Sequence, residues 1–343
     1  MKRTLKAVLI LATISPLLPV SACAEDFAES KSIYGKDDRV DYYAAGAGMK
    51  ALSDSVVSLW SAGSVSFDAA SKTHSLATVK FGDRLNLCPG EKFREQPIGA
   101  FCSGSLVGEN LVMTAGHCIV DEAQCGDTKI VFGFAVKTEG GEAPVKIAEK
   151  DVYTCAKIVK RFQGAEPLNG GSAGLGPDYA LVQLDRKVTG RKPLAVNRKQ
   201  KLRKGAKMVV IGHPVGLPLK VAGGAKVRDA SPKGYFVTDL DTFGGNSGSP
   251  VFSAKTRLIE GVLVRGDEDF KPAPGGCTTM AVYAQNAGRG EDVTKISELA
   301  AFIPRIAGEK RTKDASAELI SQPMRIDDLD LQSDLGRRFN INF

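Results

Sequence analysis

Only three histidines occur in the 343 residues, His74, His117 and His213. Any reaction that needs an imidazole therefore has three candidates. His117 ends the segment Val112-Met-Thr-Ala-Gly-His117-Cys118. Asp178 opens Asp178-Tyr-Ala-Leu-Val-Gln-Leu184, and Ser247 sits in Asp241-Thr-Phe-Gly-Gly-Asn-Ser247-Gly-Ser-Pro250. A serine hydroxyl is a weak nucleophile and needs a base at hydrogen-bond distance. A neutral imidazole can take that proton and return it to a leaving group. The imidazolium so formed needs an anion to orient and stabilise it, which Asp178 can supply. The glycines at 244, 245 and 248 permit a tight turn. On that turn the N–H groups of Gly245 and Ser247 could converge on a developing oxyanion.

The surroundings fit these roles. Thr114-Ala115-Gly116 keeps the flank of His117 small, so that the ring can approach a neighbour. Asp178 precedes an apolar run that can anchor a carboxylate at a buried edge, and Pro250-Val-Phe leads from Ser247 into a core strand. The other two histidines are expected elsewhere. His213, in Ile-Gly-His-Pro-Val-Gly, reads as a structural loop residue, and His74 lies in a polar, exposed stretch.

The elements that must position these groups read as strands. Hydrophobic residues make up 43% and charged residues 25%, so the chain can bury a core. Short apolar runs punctuated by Gly, Pro, Asn and Asp recur at 101–107, 111–114, 129–134, 179–184, 208–211, 258–264 and 280–283. That pattern, without alternating helices, predicts an all-β sandwich or barrel. One helix is expected over 293–303, where Ile296, Leu299 and Phe302/Ile303 fall near one face and Pro304 stops it. Residues 25–45 read as polar and irregular, the globular block as 53–308, and 309–343 as a flexible tail.

Residues 1–24 carry Lys2, Arg3 and Lys6 before an apolar stretch too short to span a membrane, which reads as an export signal. Ala22-Cys23-Ala24 fits a cleavage site, while Val20-Ser21-Ala22-Cys23 also fits a lipobox, and both readings stay open. The protein is then exported, secreted or periplasmic, or an outer-membrane lipoprotein if Cys23 is lipidated. Without the three signal-segment cations the formal net charge falls from +7 to +4. No Lys/Arg block interleaved with aromatics appears, so nucleic acid is not an expected partner. Six cysteines remain beyond Cys23, an even number in an exported chain, which makes three disulfides plausible. No C-x-x-C pair and no Cys/His cluster has ligand spacing, so no metal is expected.

The three segments resemble the chymotrypsin-like (trypsin-like) serine peptidases. TAGHC and GNSGSP occur together, and the order His, Asp, Ser matches that family. The resemblance covers roughly residues 55–305. It implies two six-stranded antiparallel β-barrels, with the helix above as a C-terminal helix. It also implies a Ser247–His117–Asp178 triad forming an acyl-enzyme, an oxyanion hole at Gly245 and Ser247, protein or peptide substrates, no cofactor and a monomer. A Cys102–Cys118 disulfide is implied as well. Cys88, Cys125, Cys155 and Cys277 allow three pairings, of which Cys125–Cys155 with Cys88–Cys277 is preferred.

Within the family, Asp241–Pro250 looks like the serine loop of the bacterial glutamyl endopeptidases, and Ile33-Tyr-Gly-Lys-Asp-Asp-Arg39 resembles their mature start. That implies processing near Ser32–Ile33. Asn246 stands where animal trypsins place the aspartate that pairs with the freed N-terminus, so that ion pair is absent. The implied substrate pocket comprises Asp241 at its base and Leu263, Val264, Arg265 and Gly266 along its wall, although the glutamyl endopeptidases also carry Asp-Thr at 241–242, so a structural loop role for Asp241 stays open. Leu263 occupies the slot where glutamyl endopeptidases tend to place a histidine, which argues against strict Glu specificity. A second class of function is a non-catalytic binding protein or adhesin on a peptidase fold, which reaction with a fluorophosphonate probe would exclude.

Overall fold

The structure is a computed structural model that describes residues 32–164, 175–199 and 201–306. The export signal, Cys23 and the 309–343 tail expected from the sequence lie outside these residues.

Twelve strands form two closed antiparallel rings of six. The first holds β1 (Val56–Ser61), β2 (Cys102–Gly108), β3 (Leu111–Thr114), β4 (Thr128–Phe132), β5 (Val152–Gln163) and β6 (Asp178–Leu184). The second holds β7 (Lys207–Gly212), β8 (Lys220–Asp229), β9 (Tyr235–Thr238), β10 (Pro250–Ser253), β11 (Ile259–Arg265) and β12 (Glu291–Lys295). Around the first ring the order is β1–β2–β3–β6–β5–β4, closing on β1. The second repeats it as β7–β8–β9–β12–β11–β10, closing on β7. Closure removes the unpaired edges that an open sheet would expose.

Packing fixes the two rings against each other. The interior of the second ring is built by Met208, Val210, Phe236, Val251, Leu263 and Val293. The largest apolar cluster runs from Val57, Val112 and Leu181 of the first ring onto Phe252, Val262 and Val264 of the second. Each such side chain, taken fully out of water, contributes roughly 1.5–3 kcal/mol. This seam makes β2 and β11 buried along their whole lengths rather than on alternate residues.

Three disulfides, Cys88–Cys277, Cys102–Cys118 and Cys125–Cys155, match the preferred pairing. Cys102–Cys118 ties the start of β2 to the residue after His117, and Cys88–Cys277 closes a separation of 189 residues.

Two expectations are corrected. No helix spans 293–303: Val293 lies in β12, paired with Leu263 and Phe236, and Ile296–Glu298 is a single 3-10 turn. Val293, Ile296, Leu299 and Ile303 are all buried, so the apolar spacing picked the right residues. Cross-strand pairing overrode the helical period, and Phe302 is exposed. Among the described residues, 32–45 are also not wholly irregular, and regular structure starts before residue 53. Arg39–Asp41 adds to the second ring beside β8, and Ala47–Ser53 is a helix. Ile33, Tyr34 and Arg39 are buried, with the Arg39 guanidinium held by Asp37 at 2.8 Å and lying 4.3 Å from the Phe243 ring centre. A buried charge is tolerated there because it is paired and stacked on an aromatic face.

Candidate active site

Asp178 begins β6 and is 1% exposed. Its Oδ1 accepts the Gly116 N–H at 2.6 Å and the His117 N–H at 3.2 Å, and its Oδ2 lies 2.5 Å from His117 Nδ1. One carboxylate thus holds both the backbone and the ring of the histidine. Residue 116 must be glycine for this, since a Cβ there would come within 2.5 Å of the Phe162 carbonyl oxygen and 2.7 Å of Asp178 Oδ1. Two residues that the sequence reading did not single out brace the pair. The Thr294 hydroxyl, from β12 of the other ring, accepts the Asp178 N–H at 2.9 Å and donates to the Asp178 carbonyl at 2.8 Å. The Arg161 Nε–H bridges the carbonyls of Gly116 and Ile119 at 2.8 and 2.9 Å. A threonine and an arginine inside strands carry no sequence signal for such roles.

Ser247 precedes β10 and is 3% exposed. Its carbonyl accepts the Ser103 N–H at 2.8 Å and lies 3.7 Å from Cys118 Sγ, and its Oγ is 3.5 Å from the Val264 carbonyl oxygen. A ring nitrogen of His117 and the sulfurs of Cys102 and Cys118 lie within 4.8 Å of one another. The imidazole and the Ser247 backbone therefore rest against the same disulfide. That trio offers no thiolate to a metal, because both sulfurs are bonded to each other. Gly245 has φ +78°, and a Cβ there would lie 2.8 Å from the Gly216 amide nitrogen and 2.9 Å from the His213 carbonyl oxygen. Its carbonyl accepts from the Ser103 hydroxyl at 2.8 Å, while the N–H groups of Asn246 and Gly248 go to the carbonyls of Phe243 and Leu263. A cleft of about 690 Å³ reaches Gly245, with Phe101, Val215, Asp269 and Phe270 in its wall.

The other two histidines take other parts, and the His213 N–H donates to the Ser103 hydroxyl at 2.9 Å, beside the Gly245 turn. His213 is buried, its Nδ1 is 3.0 Å from the Leu217 carbonyl oxygen, and burial pushes it down to about 3. His74 is half-buried rather than exposed and packs on Phe67 with ring centres 4.8 Å apart.

The residues expected to form a substrate pocket are placed as follows. Asp241 accepts the N–H groups of Tyr34 and Asp38 at 2.8 and 2.7 Å, so its carboxylate holds the 33–38 segment. Burial pushes it up to about 7 against those two bonds. Leu263 and Val264 face apolar clusters with no exposure. Arg265 is buried, 3.3 Å from Asp292 and 2.8 Å from the Gly176 carbonyl oxygen. Gly266 lies against Glu291, whose carboxylate oxygen would be 2.2 Å from an added Cβ. Glu291, which the sequence reading passed over, accepts from the Thr242 hydroxyl at 2.6 Å and the Ser32 N–H at 3.2 Å.

Two closed six-stranded antiparallel barrels with one shared winding define the chymotrypsin-like fold. Residues 102–259 match the family model described as a trypsin-like peptidase domain. The chain is 28% identical over 167 residues to a glutamyl endopeptidase of Staphylococcus aureus (strain MRSA252), covering 48% of this chain and 43% of that protein. It thus spans less than half the length of that relative. Among solved structures it is similar to the VesB protease of Vibrio cholerae, at 14% identity and a TM-score of 0.45, over 78% of this chain and 67% of that one. It is also similar to a Glu endopeptidase, at 17% identity and a TM-score of 0.42, over 79% of this chain and 95% of that one.

Proposed function

We propose that this chain is an exported serine endopeptidase that cleaves peptide bonds of protein substrates through an acyl-enzyme. Ser247 attacks the scissile carbonyl, and His117 takes its proton and returns it to the leaving amine. Asp178 fixes the tautomer of His117 with the proton on Nδ1 and stabilises the imidazolium. The N–H groups of Gly245 and Ser247 receive the oxyanion. The observation that carries this reading is the grip of Asp178 on His117, with Oδ2 at 2.5 Å from Nδ1 and Oδ1 on two backbone N–H groups. A histidine needed only for packing would not call for a buried carboxylate dedicated to its orientation. Export is supported by the three disulfides, which persist in oxidising compartments. The layout that goes with it is a signal over 1–24, processing near Ser32–Ile33 and a peptidase unit ending near 308.

The test is Ser247→Ala in the purified, processed protein. Turnover of a peptide substrate should fall by roughly 10⁴-fold or more with the melting temperature unchanged. Wild-type turnover in that variant would overturn the assignment. A wild-type protein that neither reacts with a fluorophosphonate probe nor cleaves peptides would instead point to a binding protein on this fold.

A further inference from the structure

The connection between the two rings carries a charge feature that peptide-bond chemistry does not use. Residues 198–207, Arg-Lys-Gln-Lys-Leu-Arg-Lys-Gly-Ala-Lys, hold six of the 46 basic residues and no acidic one. The other 40 basic residues face 39 acidic ones, so nearly all of the net charge of +7 resides in this stretch.

The fold turns the run into a cleft. Lys199, Lys201, Arg203 and Lys207 line a depression of about 920 Å³, and Lys255, from the turn between β10 and β11, closes its far side. All five are exposed. Among the described residues the ion pairs fall elsewhere, as at Lys187–Glu109, Arg191–Asp151 and Lys220–Asp41, and none involves these five. The single acid in the wall, Glu260, is engaged by the Asn197 side-chain amide at 2.7 Å, and burial raises its carboxyl above the usual range. Five like charges around one concavity focus a positive potential and attract a polyanion.

We propose that this cleft binds a polyanionic glycan, a polysaccharide bearing sulfate or phosphate groups. Its wall contains no aromatic side chain, so it offers bases nothing to stack on, which disfavours single-stranded nucleic acid. Ser253 and Thr256 supply hydroxyls for sugar or anion oxygens. Disulfides place the protein where such glycans occur, outside the reducing cytosol. The cleft is also separate from the candidate active site. None of His117, Asp178, Gly245 and Ser247 lines it, and the strand Pro250–Ser253, about 10 Å long, separates the Ser247 turn from Ser253 in the cleft wall. A bound glycan would tether the protein to a surface while leaving Ser247 open to substrate.

The test uses heparin as the sulfated probe. The full processed protein is compared with a cleft variant (Lys199→Gln, Lys201→Gln, Arg203→Gln, Lys207→Gln) and with a charge-matched control (Lys72→Gln, Lys137→Gln, Lys157→Gln, Lys271→Gln) drawn from exposed lysines elsewhere. The wild type and the control should bind heparin alike. The cleft variant should bind at least tenfold more weakly, and its slope of log K against log salt should fall by about 3, four contacts fewer at ~0.7–0.9 each. Dextran sulfate should compete, and neutral dextran and a single-stranded oligonucleotide should not. Unchanged fluorophosphonate reactivity in the variant shows that the fold persists. Absence of heparin binding by the wild type, equal weakening in both variants, or equal competition by the oligonucleotide would each overturn the proposal.

Discussion

Asp178→Asn is the substitution that interrogates the site most directly, because the geometry dictates how the new amide must sit. The native carboxylate serves three N–H groups, two on Oδ1 and the His117 ring on Oδ2. If the oxygen of the substituted amide faced the ring, its NH₂ would point at the Gly116 and His117 N–H groups and leave both unsatisfied, at about 1–3 kcal/mol each. The favoured orientation keeps the oxygen on the two backbone donors and turns the NH₂ toward Nδ1. Nδ1 must then accept, the ring proton moves to Nε2, and the base offers an N–H where it should offer a lone pair. An enzyme held in the wrong tautomer loses about 10⁴ in turnover, which at 1.36 kcal/mol per decade is about 5.4 kcal/mol. Stability changes less, because two of the three bonds survive. The assays are kcat/KM on a peptide amide, the rate of fluorophosphonate labelling, and a thermal melt of the same preparation. A variant that melts lower yet turns over within tenfold of wild type would show that Asp178 only supports the fold, and would refute the orienting role.

Two further outcomes follow from the geometry. Gly245→Ala should destabilise by about 2 kcal/mol or more, the cost of a side chain at a strained left-handed site, since φ is +78° and the new methyl meets backbone atoms at 2.8–2.9 Å. It should also suppress labelling of Ser247, and a wild-type urea midpoint with unchanged labelling kinetics would count against the turn's role. Lys220 is buried, donates to Asp41, Gln96 and the Pro218 carbonyl, and is pulled down to about 8 by burial from an ordinary value of 10.5. The folded state therefore binds fewer protons than the unfolded chain between about pH 8 and 10.5, so this residue's contribution to stability rises with pH across that window and is least favourable below it. At 1.36 kcal/mol per unit, the wild type should gain about 3 kcal/mol relative to Lys220→Met between about pH 7.5 and 10.5, read from urea midpoints. Parallel stability curves for the two proteins would contradict it.

The candidate site was legible because its chemistry needs short, fixed neighbourhoods. Gly116 beside His117 and Gly245 near Ser247 are forced by contacts under 3 Å, so their types persist as a pattern in the chain. The strand 111–114 was legible for a related reason, being a short apolar run between turn residues. Other features had no such local trace. β5 runs for twelve residues but is largely exposed, and its lysines and arginine mask it. The helix expected at 293–303 failed because its apolar spacing is satisfied equally by a strand end followed by a 3-10 turn. Arg39 reads as a surface cation until Asp37 and Phe243 enclose it.

By itself, then, the sequence determined the three candidate chemical groups, their order, the all-β character and the disulfide-forming cysteines, because each depends on residue type over a few positions. Tertiary structure alone decided what those groups touch. It put Thr294 behind Asp178, Ser103 behind Ser247, Asp241 under the 33–38 segment and Glu291 beside Gly266, pairings that join residues tens to hundreds of positions apart. Contacts of that range come from ring closure and from the apolar seam between the barrels, and no short stretch of chain encodes them.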